Sequence, residues 1–300
     1  MTAIKNYLSL VKFSHTIFAL PFAMIGLVLG FKQATVMPSG LLHQQLKGYV
    51  HPYIISFVLV LVCMVTARSA AMAFNRYLDR HFDAKNPRTA IREIPRGIIS
   101  PNSALRFVMF NGGLFILATW FINPICFYLS PVALFVILFY SYTKRFTMLC
   151  HLVLGLGLSL APIGAYLAVT GVFHFLPILF SLAVIFWVSG FDIIYAMQDV
   201  EFDQAQELHS VPSMLGKKKA LQVSTQLHVL STVCIILAGI YAPFHWLYWI
   251  GMAVFGGMLI YQHSLVKPGD LSKVNIAFMT ANGIASVVFG VLVIASMLLK

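Results

Sequence analysis

Negative charge is scarce in this sequence: nine Asp and Glu in 300 residues, with all charged types together at 10%. Soluble globular chains carry about 25% charged residues. A chain with 60% hydrophobic residues and a mean hydropathy of +0.87 has too little polar surface to be a soluble domain. Cysteine is scarce too. Cys63, Cys126, Cys150 and Cys234 show neither metal-site nor disulfide spacing and read as packing residues. The alternation of barrel strands is missing, so the long apolar runs are helices, the only other way to satisfy backbone polar groups inside a bilayer. The first run, Phe13 to Phe31, is long for a signal peptide and is expected to be the first span.

A spanning helix needs roughly 20 apolar residues. About nine spans fit, near Phe13–Phe31, Tyr53–Phe74, Ser103–Ile122, Ile125–Ser141, His151–Thr170, Phe173–Tyr195, Ala220–Ile240, Phe244–Gln262 and Val274–Leu299. Met1 to Lys12 reads as a short interfacial helix. The expected fold is therefore an all-α, multi-pass transmembrane bundle forming one domain over residues 1–300. With the N-terminus inside, 17 of the 20 Lys and Arg lie on the cytoplasmic side, and only Lys32, Lys47 and Lys300 lie opposite. Basic residues stay cytoplasmic during insertion. The net charge of +11 thus reports topology first. Lipid or phosphate suits such a face, whereas nucleic acid has no soluble domain to hold it.

The few acids are not scattered. Asp79, Asp83 and Glu93 follow span two, and Asp192, Asp199, Glu201, Asp203 and Glu207 end or follow span six; only Asp270 lies elsewhere. Both segments carry Asp-x-x-Phe-Asp, as Asp79-Arg-His-Phe-Asp83 and Asp199-Val-Glu-Phe-Asp203, 120 residues apart. This hints at two related halves. Residues four apart share a helix face, so Asn75, Asp79 and Asp83 are expected to line one stripe, and Tyr195, Asp199 and Asp203 another. Stacked carboxylates repel unless a cation joins them. Hard oxygen donors suit Mg²⁺, which takes one or two carboxylates plus substrate phosphates. Two such pairs point to metal ions held against a diphosphate.

Basic residues surround the first pair. Arg88 and Arg92, four apart in a Pro-punctuated loop, match phosphate oxygens, with solvated positive-inside charge as the plainer alternative. Arg68 lies seven residues before Asn75 on nearly the same helical face, about 10 Å deeper at 1.5 Å per residue. A cation at such depth is a functional candidate, with an anionic substrate group as its partner. The alternatives for it are snorkelling or a structural pair with Asp192. His15, His174, His228 and His263 show no ligand spacing and read as ordinary.

At these residues the chain resembles the UbiA superfamily of intramembrane aromatic prenyltransferases. Asn75-x-x-x-Asp79-x-x-x-Asp83 looks like that family's first Asp-rich motif and Asp192-x-x-Tyr195-x-x-x-Asp199-x-x-x-Asp203 its second, each on a cytoplasmic loop of a nine-helix bundle. The run from Arg88 to Gly97 is similar to the stretch after the first motif, and Tyr140-Ser-Tyr-Thr-Lys144 to a Tyr-Ser…Lys element near the diphosphate. Arg76 departs from the pattern, since many members have Asp after the Asn.

The resemblance implies a transferase of the inner (plasma) membrane, with the N-terminus and both motif loops cytoplasmic. It would pass a polyprenyl group from a polyprenyl diphosphate to an aromatic acid in respiratory quinone biosynthesis. Mg²⁺ would be held by Asp79, Asp83, Asp199 and Asp203, and the diphosphate by Asn75, Arg88, Arg92 and Lys144. Arg68 would bind the aromatic acid, Asp192 would act as base or orient the acceptor, and Tyr140 and Tyr195 would stabilise the allylic cation. Asp192-Ile-Ile-Tyr-Ala-Met-Gln-Asp199 is most similar to 4-hydroxybenzoate polyprenyltransferases. Lys12 to Pro21 and Arg68 to Asn75 also resemble a subgroup acting on a dihydroxynaphthoate in the futalosine route to menaquinone. No obligate protein partner is evident. A secondary transporter is the alternative of another class, weakened because the acids cluster at the membrane edge rather than the midplane.

Overall fold

The structure is a computed structural model that describes residues 3–11, 18–34 and 51–299. The expected positions of Lys12, His15, Lys47 and Lys300, and the start of the first span, lie outside the described residues. In chain order the α-helices are α1 (Ala3–Leu10), α2 (Leu20–Gln33), α3 (Pro52–Leu78), α4 (Arg80–Lys85), α5 (Pro101–Ile122) and α6 (Pro124–Thr143). They continue with α7 (Cys150–Thr170), α8 (Phe175–Ala196), α9 (Val200–Ala205), α10 (Val211–Tyr241), α11 (Leu247–Leu265) and α12 (Asn282–Leu298). A 3₁₀ turn at Met197–Asp199 joins α8 to α9, and a π-helical turn at Ile276–Ala281 leads into α12.

The all-helical expectation holds. A helix falls at each of the nine expected spans, and seven helical stretches among the described residues are long and apolar enough to cross a membrane. Two of the nine fall short of that measure. The described part of α2 has only 14 residues, and the 19 residues of α11 end in Tyr-Gln-His-Ser-Leu, which dilutes its apolar character.

Local chemistry sets the helix ends. Proline occupies the first turn of α3 and α5, where no intrahelical donor is lost. Ser100 caps α5 through Ser103 N at 3.2 Å. Ser210 and Ser213 form a reciprocal capping box on α10. Helix α10 begins nine residues before the expected span seven, because that cap starts a turn which Gly216, at φ 78°, breaks before the apolar run.

Contacts divide the chain into two compact units. The first comprises Met1–Thr16 and Pro38–Thr143. In it α3 packs on α5, and α1 lies against α3 with Tyr7 stacked on Phe107 at 4.7 Å. Leu10, Ala70, Ala73, Ile94, Ile99 and Val108 form the apolar centre, which anchors the Arg-rich loop through Ile94 and Ile99. The second unit comprises Ile17–Met37 and Lys144–Lys300. Here α8 is wrapped by α7 and α10, around Trp187, Phe22, Phe180, Phe255 and Phe289. Helix α2 comes so close to α7 that a Cβ at Gly26 would overlap the Pro162 carbonyl. Glycine lets two backbones meet there, as membrane helices favour.

Candidate active site

In the first unit α3 ends at Leu78, and Asp79 is the residue at the break before α4, with φ −88° and ψ 5°. The expected stripe is therefore kinked at its middle member rather than straight. The kink is mild, because Asp79 N still bonds Asn75 O at 2.9 Å and Asp83 N bonds Asp79 O at 2.8 Å. Asn75 Nδ2 donates to Asp79 Oδ2 at 3.0 Å, so Asn75 orients the carboxylate. Asp83 is 5% exposed, and Arg92 Nη1 donates to its Oδ1 at 2.6 Å. The other oxygen, Oδ2, is buried without a hydrogen-bond partner among the described residues. Asn86 heads an Asx turn, its Oδ1 accepting from the Arg88 backbone N–H at 3.0 Å, and Thr89 Oγ1 donates to the Asp83 carbonyl at 3.2 Å. The loop is thus folded back onto the motif by its own side chains.

Arg68 lies half-buried on α3, with its Nε lacking a partner among the described residues. The buried guanidinium of Arg76 likewise keeps Nε and Nη1 unpartnered. Tyr140 stands near both arginines.

In the second unit the middle motif carboxylate, Asp199, ends the 3₁₀ turn at φ −106° and ψ 9°. This is the same sparsely populated backbone region that Asp79 adopts, one frequented by active-site residues. The last carboxylate, Asp203, is fully buried between α9 and its neighbours. Lys144 Nζ stands 2.7 Å from Asp203 Oδ1, and Ser210 Oγ donates to Oδ2 at 3.1 Å. Burial pulls the Lys144 ammonium down, but the Asp203 carboxylate outweighs it, and the net shift is up from the usual lysine value. Tyr195 packs its ring on Phe278 at 4.3 Å between centroids.

Asp192 has a different neighbour from the one weighed for it. Its Oδ2 lies 2.7 Å from Nδ1 of His151, a residue that sequence reasoning passed over. The only hint was a titratable residue at the very start of an apolar run, 41 positions before Asp192. His174 caps α8 through Leu176 N, and His228 and His263 bond each other at 2.9 Å, so these histidines have partners without any motif.

Carboxylates are the donor chemistry that Mg²⁺ takes, and in the first unit the orphaned buried oxygen of Asp83 is an acceptor that a cation would satisfy. No three His, Cys, Asp or Glu side chains among the described residues cluster closely enough to hold a metal alone. That is the ordinary condition of a magnesium site completed by substrate phosphates. In the first unit the residues fit the ion.

Seven long apolar helices among the described residues, with carboxylates and basic side chains at helix breaks and ends, define a multi-pass helical membrane protein. The model of the UbiA prenyltransferase family matches residues 35–284, and the chain belongs to that family. The 4-hydroxybenzoate octaprenyltransferase of Tolumonas auensis is 30% identical over 244 residues, 80% of this chain and 85% of that protein. The enzyme of the same name from Alcanivorax borkumensis is 31% identical over 219 residues, covering 72% and 74%. Among solved structures, the apo form of a UbiA homologue from Aeropyrum pernix K1 superposes with a TM-score of 0.80 at 28% identity, over 94% of this chain and 98% of that one. A UbiA homologue from Archaeoglobus fulgidus, bound to GPP and Mg²⁺, shares the fold with a TM-score of 0.71 at 21% identity, over 97% and 99%.

Proposed function

We propose that the protein transfers a polyprenyl group from a polyprenyl diphosphate to 4-hydroxybenzoate, in the biosynthesis of a respiratory quinone. One observation carries the reading. Each motif sets its middle carboxylate at a helix break in the same backbone region and seats its last carboxylate on a basic side chain. The likeness to 4-hydroxybenzoate octaprenyltransferases supports the acceptor. The family match runs through both units, which supports reading residues 1–300 as one catalytic domain. Nine crossings with both motif loops cytoplasmic follow from the distribution of Lys and Arg. A reporter near Asn86 should then be cytoplasmic and one after Lys300 external; finding both on one side would break this parity.

Asp79, Asp83, Asp199 and Asp203 would hold Mg²⁺, which when bound neutralises a diphosphate leaving group. Arg88, Arg92 and Lys144 bind the diphosphate oxygens, and Asn75 keeps Asp79 in register. The allylic C–O bond breaks with its electron pair going to the diphosphate. Tyr140 and Tyr195 would stabilise the resulting cation with their ring electrons. The aromatic ring supplies the pair for the new C–C bond, and Asp192 receives the proton that the ring gives up. Arg68 holds the acceptor carboxylate.

The test is incubation of purified protein in lipid with Mg²⁺, a polyprenyl diphosphate and 4-hydroxybenzoate, with diphosphate and prenylated acid measured together. Equal yields of the two products are expected. A folded protein that transports but makes neither product would favour the transporter reading, and product formed only with a dihydroxynaphthoate would move the acceptor.

A further inference from the structure

His151 is the second residue of α7, and it is 3% exposed. Its ring bridges two groups. Nδ1 lies 2.7 Å from Asp192 Oδ2, and the backbone N–H of Val211 donates to Nε2 at 3.3 Å. Val211 is the first residue of α10, where an amide has no acceptor in its own helix and must donate outward. A ring nitrogen that accepts a hydrogen bond carries no proton, so the imidazole hydrogen sits on Nδ1 and is donated to Asp192. The carbonyl of His151 lies 3.0 Å from the fully buried Ser189 Oγ, whose one proton is shared with the Ile185 carbonyl at 2.6 Å. Asp192 is thereby pinned through one oxygen, while its side chain remains 25% exposed. The arrangement joins α7, α8 and the start of α10 within the second unit.

We propose that His151 is a positioning residue for the transfer: it fixes Asp192 so that Oδ1 faces the acceptor and receives the proton displaced from the ring. The proposal rests on reading Asp192 as the proton acceptor of the proposed reaction. In that step the C–O electron pair leaves with the diphosphate, and a ring π pair forms the C–C bond. The C–H pair then returns to the ring, and the proton passes to Oδ1. His151 keeps its own proton throughout. With Nε2 occupied by Val211, it has no second site through which to relay one. This is the logic of a carboxylate–imidazole pair with the roles exchanged, the imidazole orienting and the carboxylate reacting.

The hydrogen on Nδ1 makes the test specific, because asparagine places an amide donor near the δ position and glutamine near the ε position. His151→Ala should lower kcat for prenylated acid about tenfold to hundredfold, part of what a positioned general base contributes, with KM for the prenyl diphosphate within about twofold. His151→Asn should recover about tenfold of that loss, and His151→Gln should not. Nitrogen NMR of the labelled histidine, which needs no turnover, should show the Nδ1–H form in the wild type. Unfolding midpoints of Asn and Gln variants should match, so that their kcat difference reports orientation. Proton on Nε2, Asn no better than Gln, or an Ala variant within threefold of wild-type kcat would each overturn the proposal. A folded wild type that makes no prenylated acid would overturn the transfer reading and this role with it; that failure is distinct because it shows in the wild type itself.

Discussion

The two Asp-rich regions solve the same chemical problem with different wiring. In the first unit the last carboxylate, Asp83, is paired with Arg92, nine residues further along one loop. In the second unit Asp203 is paired with Lys144 from far earlier in the chain and bonded to Ser210 from the cap of α10. The first arrangement is local to one loop. The second is fully buried and tied to the packing of several elements. A carboxylate repeated in sequence is thus not repeated in its surroundings: Asp83 meets a cation at Oδ1 with Oδ2 buried, whereas Asp203 meets Lys144 at Oδ1 and Ser210 at Oδ2.

The largest expected effects treat the two regions as equals. Asp79→Ala and Asp199→Ala should each reduce turnover below about a tenth of wild type at saturating Mg²⁺, since losing a metal ligand removes several kcal/mol of charge stabilisation. If only one does so, the symmetry of the two helix breaks is structural rather than catalytic. Arg68 sharpens the contrast, because its buried Nε, without a hydrogen-bond partner among the described residues, lies in the first unit. Losing a charge-assisted hydrogen bond costs about 1.5–3 kcal/mol, so Arg68→Ala should raise KM for the aromatic acid roughly tenfold to hundredfold. KM for the prenyl diphosphate should change little. Arg68→Lys should recover only part, because a point charge cannot grip both carboxylate oxygens. An effect on the diphosphate instead would move Arg68 into that site.

Stability should separate the regions in the opposite sense. Lys144→Met leaves Asp203 as a buried carboxylate without its cation and should cost about 1–3 kcal/mol, below the full penalty for a buried pair because a third of the Lys144 side chain meets solvent. Arg92→Met should cost less, about 1–2 kcal/mol, because its pair closes a nine-residue stretch of one loop rather than joining distant elements, even though Asp83 is buried. Lys144→Met combined with Asp203→Leu should regain most of the loss. Denaturant midpoints in matched detergent compare the three; equal costs for Lys144→Met and Arg92→Met would erase the distinction between a local and a long-range pair.

What could be read from the sequence follows the same divide. The helices were legible because apolar runs are local signals, and the family because its motifs are short and contiguous. The loop of Arg88 and Arg92 was placed beside Asp83 correctly because nine residues is a short reach. The bond from His151 to Asp192 was invisible, because it joins two helices through packing that no spacing rule records. The contact of Lys144 with Asp203 was invisible for the same reason. The kinks at Asp79 and Asp199 also escaped, since Asp-x-x-Phe-Asp reads equally well as a straight helix. Arg76, read only as a departure from the family pattern, is buried beside Asp83 and Glu93, which sequence alone did not indicate.

The smallest effect tests the pairs through pH. The Lys144 ammonium titrates above its unfolded value of about 10.5, so the pair's stabilisation is fully present below that pH and is lost as pH rises through the folded value. A guanidinium, unlike an ammonium, stays charged as a chemical class over this range. The difference in unfolding midpoint between wild type and Lys144→Met should therefore be constant from pH 8 to about 10 and shrink above it. The difference between wild type and Arg92→Met should stay flat over the same range. Taking differences against the wild type cancels the tyrosines and exposed lysines common to all three proteins. A flat profile for Lys144→Met would mean that its ammonium contributes packing rather than charge to Asp203. A profile that shrinks for both variants would mean that the alkaline transition belongs to another group, and that the two regions hold their last carboxylates alike.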